Sequence, residues 1–175
     1  MNLSEKAHAR HLVELGFLKE HLEEIGLEST VLERSQELPL NVLLTNIQND
    51  HKGRKRVVNF AFVPMPEGDM DYISLLQFYT VIPCELSPEN QGSLEKLIMA
   101  INCQTAIGYF GAKENKEVFL RYTYSTSASH LISKDEFKET LFLFVYMMEI
   151  YAEIIEDVAS GKKSLQEALK AISAE

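Results

Sequence analysis

The spacing of apolar residues predicts a helix at the start of this chain. Apolar side chains recur there at intervals of three and four positions, as on one face of an α-helix: Leu12, Leu15, Leu18, Leu22 and Ile25. Ser4 is a suitable N-cap, and Gly26 stands where a glycine often follows the last helical residue. We therefore expect a first helix over residues 4–25, followed by a transitional segment up to Pro39.

The middle of the chain alternates instead with the two-residue period of β-strands. Segments 41–48, 56–65 and 72–83 are rich in β-branched and aromatic residues, and the turn sequences NDHKG (49–53) and PEGD (66–69) separate them. Three strands joined by short turns predict an antiparallel meander. Two more strands are expected over 106–112 and 117–124, with KENK as the hairpin tip.

Helix-starting sequences mark three further helices. Ser87 followed by Pro88 predicts a helix start, and apolar residues continue at helical spacing to Ile101. Ser133 with Glu136 forms a capping-box pattern that opens a long helix to about residue 159, and Ser164 with Glu167 opens a short one to about 173. The predicted order is α-βββ-α-ββ-α-α, an α+β fold with a mainly antiparallel five-stranded sheet and helices packed on it.

Length and composition fit a single domain over residues 1–175. The 175 residues are 46% hydrophobic, which is ample for a core, and the net charge of −9 is unfavourable for gripping a phosphate backbone. The first residues lack the apolar core of a signal peptide, and the most apolar run, 141–148, is too short to span a membrane. Cys84 and Cys103 lack CxxC spacing, so a reduced, cytoplasmic protein is expected.

The stretch INCQTAIGYFG (101–111) has the composition of an active-site loop, with a cysteine and two glycines. Its position argues against that interpretation, because Cys103 falls at a predicted helix C-terminus, where the helix dipole disfavours a thiolate. We interpret Cys103 as a small buried hydrophobe. Gly108 is expected to serve the helix-to-strand turn and Gly111 a bend or bulge.

Three polar clusters also suggest chemistry, and for each a structural interpretation is favoured. His8 and His11 share a helix face with Glu5 and Glu14, a spacing that could hold a metal but is also typical of a solvated face. His130 in TYSTSASH (123–130) is expected in a polar surface loop. HKGRKR (51–56) is interpreted as a solvated basic turn. Taken together, these interpretations predict no catalytic, cofactor or metal site and no nucleic-acid or membrane partner.

The long helix carries the strongest functional signal. Apolar residues occupy nearly the whole circumference within 141–158, so one side can pack on the sheet while the other needs a cover. The cover is either the short last helix or a second chain. We expect a protein interface here, formed by residue types that interfaces favour: Phe144, Met147, Met148 and Tyr151.

Four segments resemble the YbjN-type family, whose members are labelled bacterial sensory transduction regulators and share the fold of type III secretion chaperones. The segments are LPLNVLLTNI, RVVNFAFVPMPEGDMDYISLLQFYTVIP, LIMAINCQTAIGYFGAKENKEVFLRYTY and KDEFKETLFLFVYMMEIYAEIIEDVASG. The resemblance covers residues 37–161, between an N-terminal helix (1–26) and a short C-terminal helix (162–175). It implies a dimeric, non-enzymatic α+β protein and supplies no catalytic residues.

The hypothesis from the sequence is a non-enzymatic protein-binding module, chaperone-like or regulatory, that acts as a homodimer. One alternative is an enzyme that uses Cys103 or Cys84 with His130 as a base. Another is a weak nucleic-acid binder that uses the basic residues of the 51–56 turn: Lys52, Arg54, Lys55 and Arg56.

Overall fold

The α+β class is confirmed by a computed structural model, which describes residues 3–65, 72–114 and 117–173. The helices are α1 (Glu5–Glu24), α2 (Gln91–Asn102), α3 (Lys134–Ala159) and α4 (Leu165–Ile172). The strands are β1 (Ser29–Leu32), β2 (Val42–Ile47), β3 (Arg56–Phe62), β4 (Ile73–Ile82), β5 (Tyr109–Ala112) and β6 (Val118–Ser127). They form one antiparallel sheet in the order β1-β2-β3-β4-β6-β5.

The prediction of five strands was one too few, because β1 lies in the segment expected to be transitional. This strand has four residues and pairs antiparallel with β2, Ser29 opposite Thr45 and Leu32 opposite Val42. The hydroxyls of Ser29 and Thr45 lie 3.1 Å apart, and both residues are buried. A four-residue strand with a buried serine lacks the alternation that marks a strand in sequence.

The predicted helix ends are confirmed, since local hydrogen bonds define them. The hydroxyl of Ser4 accepts the Ala7 N–H at 3.3 Å. At the other end of α1 the Gly26 N–H donates to the Glu23 carbonyl and the Leu27 N–H to the Leu22 carbonyl. This Schellman arrangement needs a left-handed residue, and Gly26 has φ +82°.

The ends of the other helices follow the expected residues in part. Ser164 and Glu167 form the predicted capping box at α4. The segment expected to begin an α-helix at Pro88 is a 3-10 turn, Pro88–Asn90, and α2 begins only at Gln91; Ser87 makes no side-chain cap hydrogen bond. Helix α3 begins directly after Ser133, as expected. The Glu136 carboxylate, which was predicted to take part in a capping box with Ser133, accepts a hydrogen bond from the Tyr124 hydroxyl at 3.0 Å.

The turns between strands are described only in part. In NDHKG, Asp50 accepts hydrogen bonds from the N–H groups of Lys52 and Arg54. The PEGD sequence and the last two residues of KENK lie outside the described residues.

The chain divides into two compact units, each with its own core. The first comprises Met1–Thr80 and Thr123–Leu141. Its core includes Leu15, Leu18 and Leu22 of α1 and a cluster of aromatic rings at centroid distances of 4.8 to 5.7 Å: Phe60, Phe78 and Phe137. The single-domain organisation stays a prediction.

The second unit comprises Val81–Tyr122 and Phe142–Glu175. Here α2 packs against both β5 and α4. Its fully or nearly fully buried side chains include Leu94, Leu97, Ile101 and Phe110. Within the described part of the chain, none of the helices is long and apolar enough to cross a membrane.

Candidate functional site: the outer face of helix α3

The four residues predicted to form an interface on the long helix are buried within the chain. Phe144 and Met148 are almost inaccessible to solvent, and Met147 and Tyr151 are buried as well. The Tyr151 ring packs edge-on against Phe110, with centroids 5.8 Å apart. Their side chains therefore serve internal packing in the single chain, and an interface role for them stays a prediction.

The exposed apolar residues of α3 lie on the opposite side of the helix. Phe142 is 52% exposed, Leu143 37% and Tyr146 59%. At 100° per residue, Tyr146 and Tyr151 point about 140° apart around the helix axis. Two exposed carboxylates, Glu149 and Glu153, continue the same side toward the C-terminus of the helix. We call these five residues the α3 outer face.

The sequence contains a signal for this face that the count of apolar residues concealed. Phe142, Tyr146, Glu149 and Glu153 are separated by four, three and four positions, so they share one side of the helix. A glutamate is rarely buried without a partner. The two glutamates therefore identify the solvent side, and with it the exposed aromatic residues.

Cys103, Cys84 and His130 are the residues of the enzyme alternative. Cys103 is exposed, so its interpretation as a buried hydrophobe was wrong, but it does lie at the C-cap of α2. Cys84 is half-buried. His130 is exposed, and its Nδ1 lies 2.8 Å from the Ser129 hydroxyl and 3.4 Å from that of Ser127. These contacts are local to the end of β6.

The histidines of α1 lie on its packed side, so the solvated face expected for them was wrong. His8 is buried, and the His11 ring stacks on Phe62 with centroids 4.5 Å apart. Burial lowers the pKa of His11 to about 4, with smaller contributions from the charges of Arg10 and His8. Among the described residues no group of three His, Cys, Asp or Glu side chains is placed to hold a metal.

Glu14 lies on the same side of α1 and is also buried. Arg10 Nε donates to its Oε1 at 2.8 Å, while its buried Oε2 has no hydrogen-bond partner in the described structure. The ion pair compensates for part of the cost of burying the carboxylate.

The basic turn does not present its four cations on one surface. Arg56 is buried, and the Arg54 side chain donates to the Asp50 carboxylate at 2.6 Å. Burial raises the pKa of Asp50, but hydrogen bonds from Arg54 and Lys52 outweigh it and lower that pKa to about 2. Arg54 thus stabilises the turn, which leaves Lys52 and Lys55 as the exposed cations of the segment.

Asn102, the last residue of α2, hydrogen-bonds to the backbone of β5. Its Nδ2 donates to the Phe110 carbonyl at 2.9 Å, and its Oδ1 accepts the Phe110 N–H at 2.8 Å. Gly108 has φ +72° and makes the predicted turn. Gly111 pairs in register with Phe119, whose ring lies over it, so the bend or bulge expected there was wrong.

Among the described residues, each unit contains a cavity. A cleft of about 600 Å³ in the first unit is lined by leucines and prolines around His8 and the Glu5–Arg34 ion pair. The hydrogen bond and charge of Arg34 lower the pKa of Glu5. A smaller one of about 150 Å³ lies beside Leu94 and Ala112 in the second unit.

Comparison with known proteins gives a structural likeness. No protein-family model matches the chain, and no curated protein matches it. The fold is similar to the crystal structure of "YbjN, a putative transcription regulator from E. coli", with 15% identity and a TM-score of 0.45, over 84% of this chain and 93% of that one. The resemblance to YbjN stated from the sequence is thus confirmed as a structural match, and at this identity and TM-score it does not extend to activity or partners.

Proposed function

We propose that this protein is a non-enzymatic protein-binding module, chaperone-like or regulatory, that docks another polypeptide on the α3 outer face. The observation that carries the proposal is the exposure of two aromatic residues and a leucine side by side on one helix, Phe142, Leu143 and Tyr146. Aromatic side chains are enriched in the buried centres of protein interfaces. Covering these three would remove apolar surface from water, which favours association.

Helix α1 also exposes a pair of apolar residues at helical spacing, and the α3 outer face differs from that pair. Val13 and Phe17 are exposed on α1, but they lie among charges of both signs, including Arg10 and Glu20. The α3 outer face carries three exposed apolar residues close together where α1 carries two, so docking on α3 would remove more apolar surface from water.

The homodimer expected from the sequence was predicted to use the buried side of α3, through Phe144, Met147, Met148 and Tyr151. It stays a prediction, and the occupant that we propose is a different polypeptide.

Site-specific crosslinking tests the proposal. A photoreactive phenylalanine analogue placed at Tyr146 is expected to join the protein to another polypeptide in cells of its host. The same analogue at Met99, which is 67% exposed on α2, is the matched control. The crosslink from position 146 is expected to disappear when Phe142→Ser is added.

A crosslinked product from position 146 that survives Phe142→Ser, or that forms equally from position 99, would contradict the proposal. So would the absence of any product from position 146 while the variant remains folded by circular dichroism.

A further inference from the structure

We infer that the larger cleft of the first unit binds a free apolar amino acid, whose carboxylate and ammonium groups are held by Arg34, Glu5 and His8. We call this site the α1 cleft. Every residue that lines it belongs to the first unit, whereas the α3 outer face belongs to the second. The inference therefore goes beyond the proposed function and does not rest on it.

His8 is the residue that first points to a ligand. It is only 8% exposed, and it lines the cleft. Within the described part of the chain its imidazole makes no hydrogen bond, so the ring nitrogens can bond only to solvent or to a ligand. Buried polar groups are rarely left without a partner, because such a group costs free energy. A ligand group bonded to the imidazole would remove that cost.

The Glu5–Arg34 ion pair adds one group of each charge to the same cleft. Arg34 Nη2 donates to the Glu5 carboxylate, and among the described residues the other guanidinium N–H groups have no acceptor. The hydrogen bond and charge of Arg34 lower the pKa of Glu5, and the charge of His8, one helical turn away, acts in the same direction. The three polar groups therefore lie within charge range of one another.

This set of groups matches a zwitterion better than a ligand with a single charge. A ligand carboxylate can accept hydrogen bonds from Arg34 and from the His8 imidazole, and the partial positive charge of the first turn of α1 favours an anion. Glu5 would repel a carboxylate that came alone, and Arg34 would repel a lone ammonium group. An α-amino acid carries both charges on one carbon, so each can meet its opposite.

The remainder of the lining selects an apolar side chain. It consists of two leucines and two prolines, Leu3, Leu40, Pro39 and Pro64. The volume of about 600 Å³ falls within the range of small-molecule sites. Burying an aromatic or branched side chain against these residues removes apolar surface from water, which favours binding.

Asn41 fixes the backbone on both sides of the α1 cleft. This residue is buried, its Nδ2 donates to the His8 carbonyl at 2.9 Å, and its Oδ1 accepts the Arg34 N–H at 2.9 Å. The loop that follows is closed by the Ser35 N–H, which donates to the Leu38 carbonyl at 2.7 Å. The side chains of His8 and Arg34 thus extend from backbone that is held without them, and such a site loses less entropy when a ligand binds.

Isothermal titration calorimetry of the full chain with matched probes tests the inference. L-phenylalanine carries both charges and an aromatic side chain. Phenylpropanoate lacks the ammonium group, phenylethylamine lacks the carboxylate, and glycine lacks the side chain. L-phenylalanine is expected to bind about tenfold more tightly than each of the others, because each of them loses a charged hydrogen bond or the buried ring.

Single substitutions identify the groups that hold the ligand. Arg34→Gln is expected to weaken phenylalanine binding about tenfold, and His8→Leu, which keeps an apolar side chain but removes the imidazole, by a similar factor. Glu5→Gln should weaken it only about two- to fivefold, because the Glu5 side chain is 83% exposed. The Glu24–Lys134 ion pair does not line the cleft, so Glu24→Gln and Lys134→Gln are matched controls and should leave the affinity unchanged.

Each contrary outcome has a definite meaning. Absence of phenylalanine binding at millimolar concentration would overturn the inference, and equal binding of phenylpropanoate or phenylethylamine would overturn the choice of a zwitterion. Unchanged affinity in Arg34→Gln and His8→Leu would show that the amino acid binds elsewhere, and an equal loss in Lys134→Gln would show a general effect of charge. If His8→Leu does not fold by circular dichroism, Arg34→Gln still decides, since it replaces a side chain in an exposed ion pair.

The same titration separates this inference from docking on α3. Phe142→Ser with Tyr146→Ser removes the aromatic residues of the α3 outer face and should leave phenylalanine binding unchanged. A loss of binding in that variant would contradict a site in the first unit.

Discussion

At the scale of single residues, the Asn102 side chain forms hydrogen bonds with a strand backbone that a neighbouring strand would usually form. Strand β5 stands at the end of the sheet order, and edge strands expose N–H and C=O groups that can pair with other chains. The carboxamide of Asn102 satisfies both backbone groups of Phe110 at 2.8 and 2.9 Å. It therefore covers part of the edge and links the end of α2 to β5.

We expect Asn102→Ala to lower the free energy of unfolding by about 1–3 kcal/mol, because two backbone groups lose their partners. Urea denaturation measures this difference. Gln104→Ala changes an exposed amide two residues away and should alter stability by less than about 0.5 kcal/mol. Equal effects of the two substitutions would show that the Asn102 hydrogen bonds contribute nothing specific.

Gly108 offers a second test at this scale, and its role in the turn was predicted from the sequence. A Cβ at Gly108 would lie 2.8 Å from the Arg121 carbonyl oxygen, and the residue has φ +72°. We expect Gly108→Ala to destabilise by about 1–3 kcal/mol. The same substitution at Gly92, a helical position with open space around it, should be neutral or stabilising by up to about 1 kcal/mol. Thermal unfolding of both variants gives the sign of each effect.

At the scale of elements, the periodicity of apolar residues predicted the packed side of α1 but not the packed side of α3. The leucine stripe of α1 correctly predicted its packed side, but His8, His11 and Glu14 share that side. In α3 nearly every side is apolar, so periodicity alone could not tell the buried residues from the exposed ones. The packing of the helix within the chain made the distinction, with the glutamates as its only sequence marker.

Acid should destabilise the chain through His11. Its pKa of about 4 lies below the ordinary 6.5, so the unfolded chain binds the proton first. The contribution to stability is complete above pH 6.5 and is lost as the pH falls toward 4. We expect His11→Leu to reduce this loss by about 1–2 kcal/mol, a range that allows for solvent at the partly exposed ring.

Urea denaturation at pH 7 and pH 4.5 measures how much the free energy of unfolding changes with pH in the wild type and in His11→Leu. The difference between the two proteins removes the contribution of other titrating groups. His51→Gln, at an exposed turn position, is the control. An unchanged pH dependence in His11→Leu would rule out His11 as its source.

The two sides of α3 should respond differently to substitution. Phe144 is fully buried, so Phe144→Ala is expected to cost about 3–5 kcal/mol of stability. Tyr146 is largely exposed, and Tyr146→Ser should cost less than about 0.5 kcal/mol. Chemical denaturation compares the two variants. A large loss from Tyr146→Ser would show that this residue stabilises the fold of the single chain and is not available as a docking residue.

At the scale of the whole molecule, net charge bears on the state of association. The chain carries a net charge of −9, which opposes the close approach of two copies. We therefore expect light scattering after size exclusion to give the mass of one chain, 19.9 kDa, at micromolar concentration. Twice that mass, returning to a single chain in Phe142→Ser with Tyr146→Ser, would instead support the homodimer predicted from the sequence.

Local sequence signals predict most of the elements of this protein, because helix caps, turn residues and periodicity act over a few neighbouring positions. Ser4, Gly26, Ser164 and Glu167 mark helix ends through bonds made within one or two turns. The tertiary structure alone decided which side of α3 is covered, that Ser29–Leu32 pairs as a strand, and that Asn102 bonds to Phe110. Each of these depends on contacts between segments apart in the chain, and local propensity carries no record of such contacts.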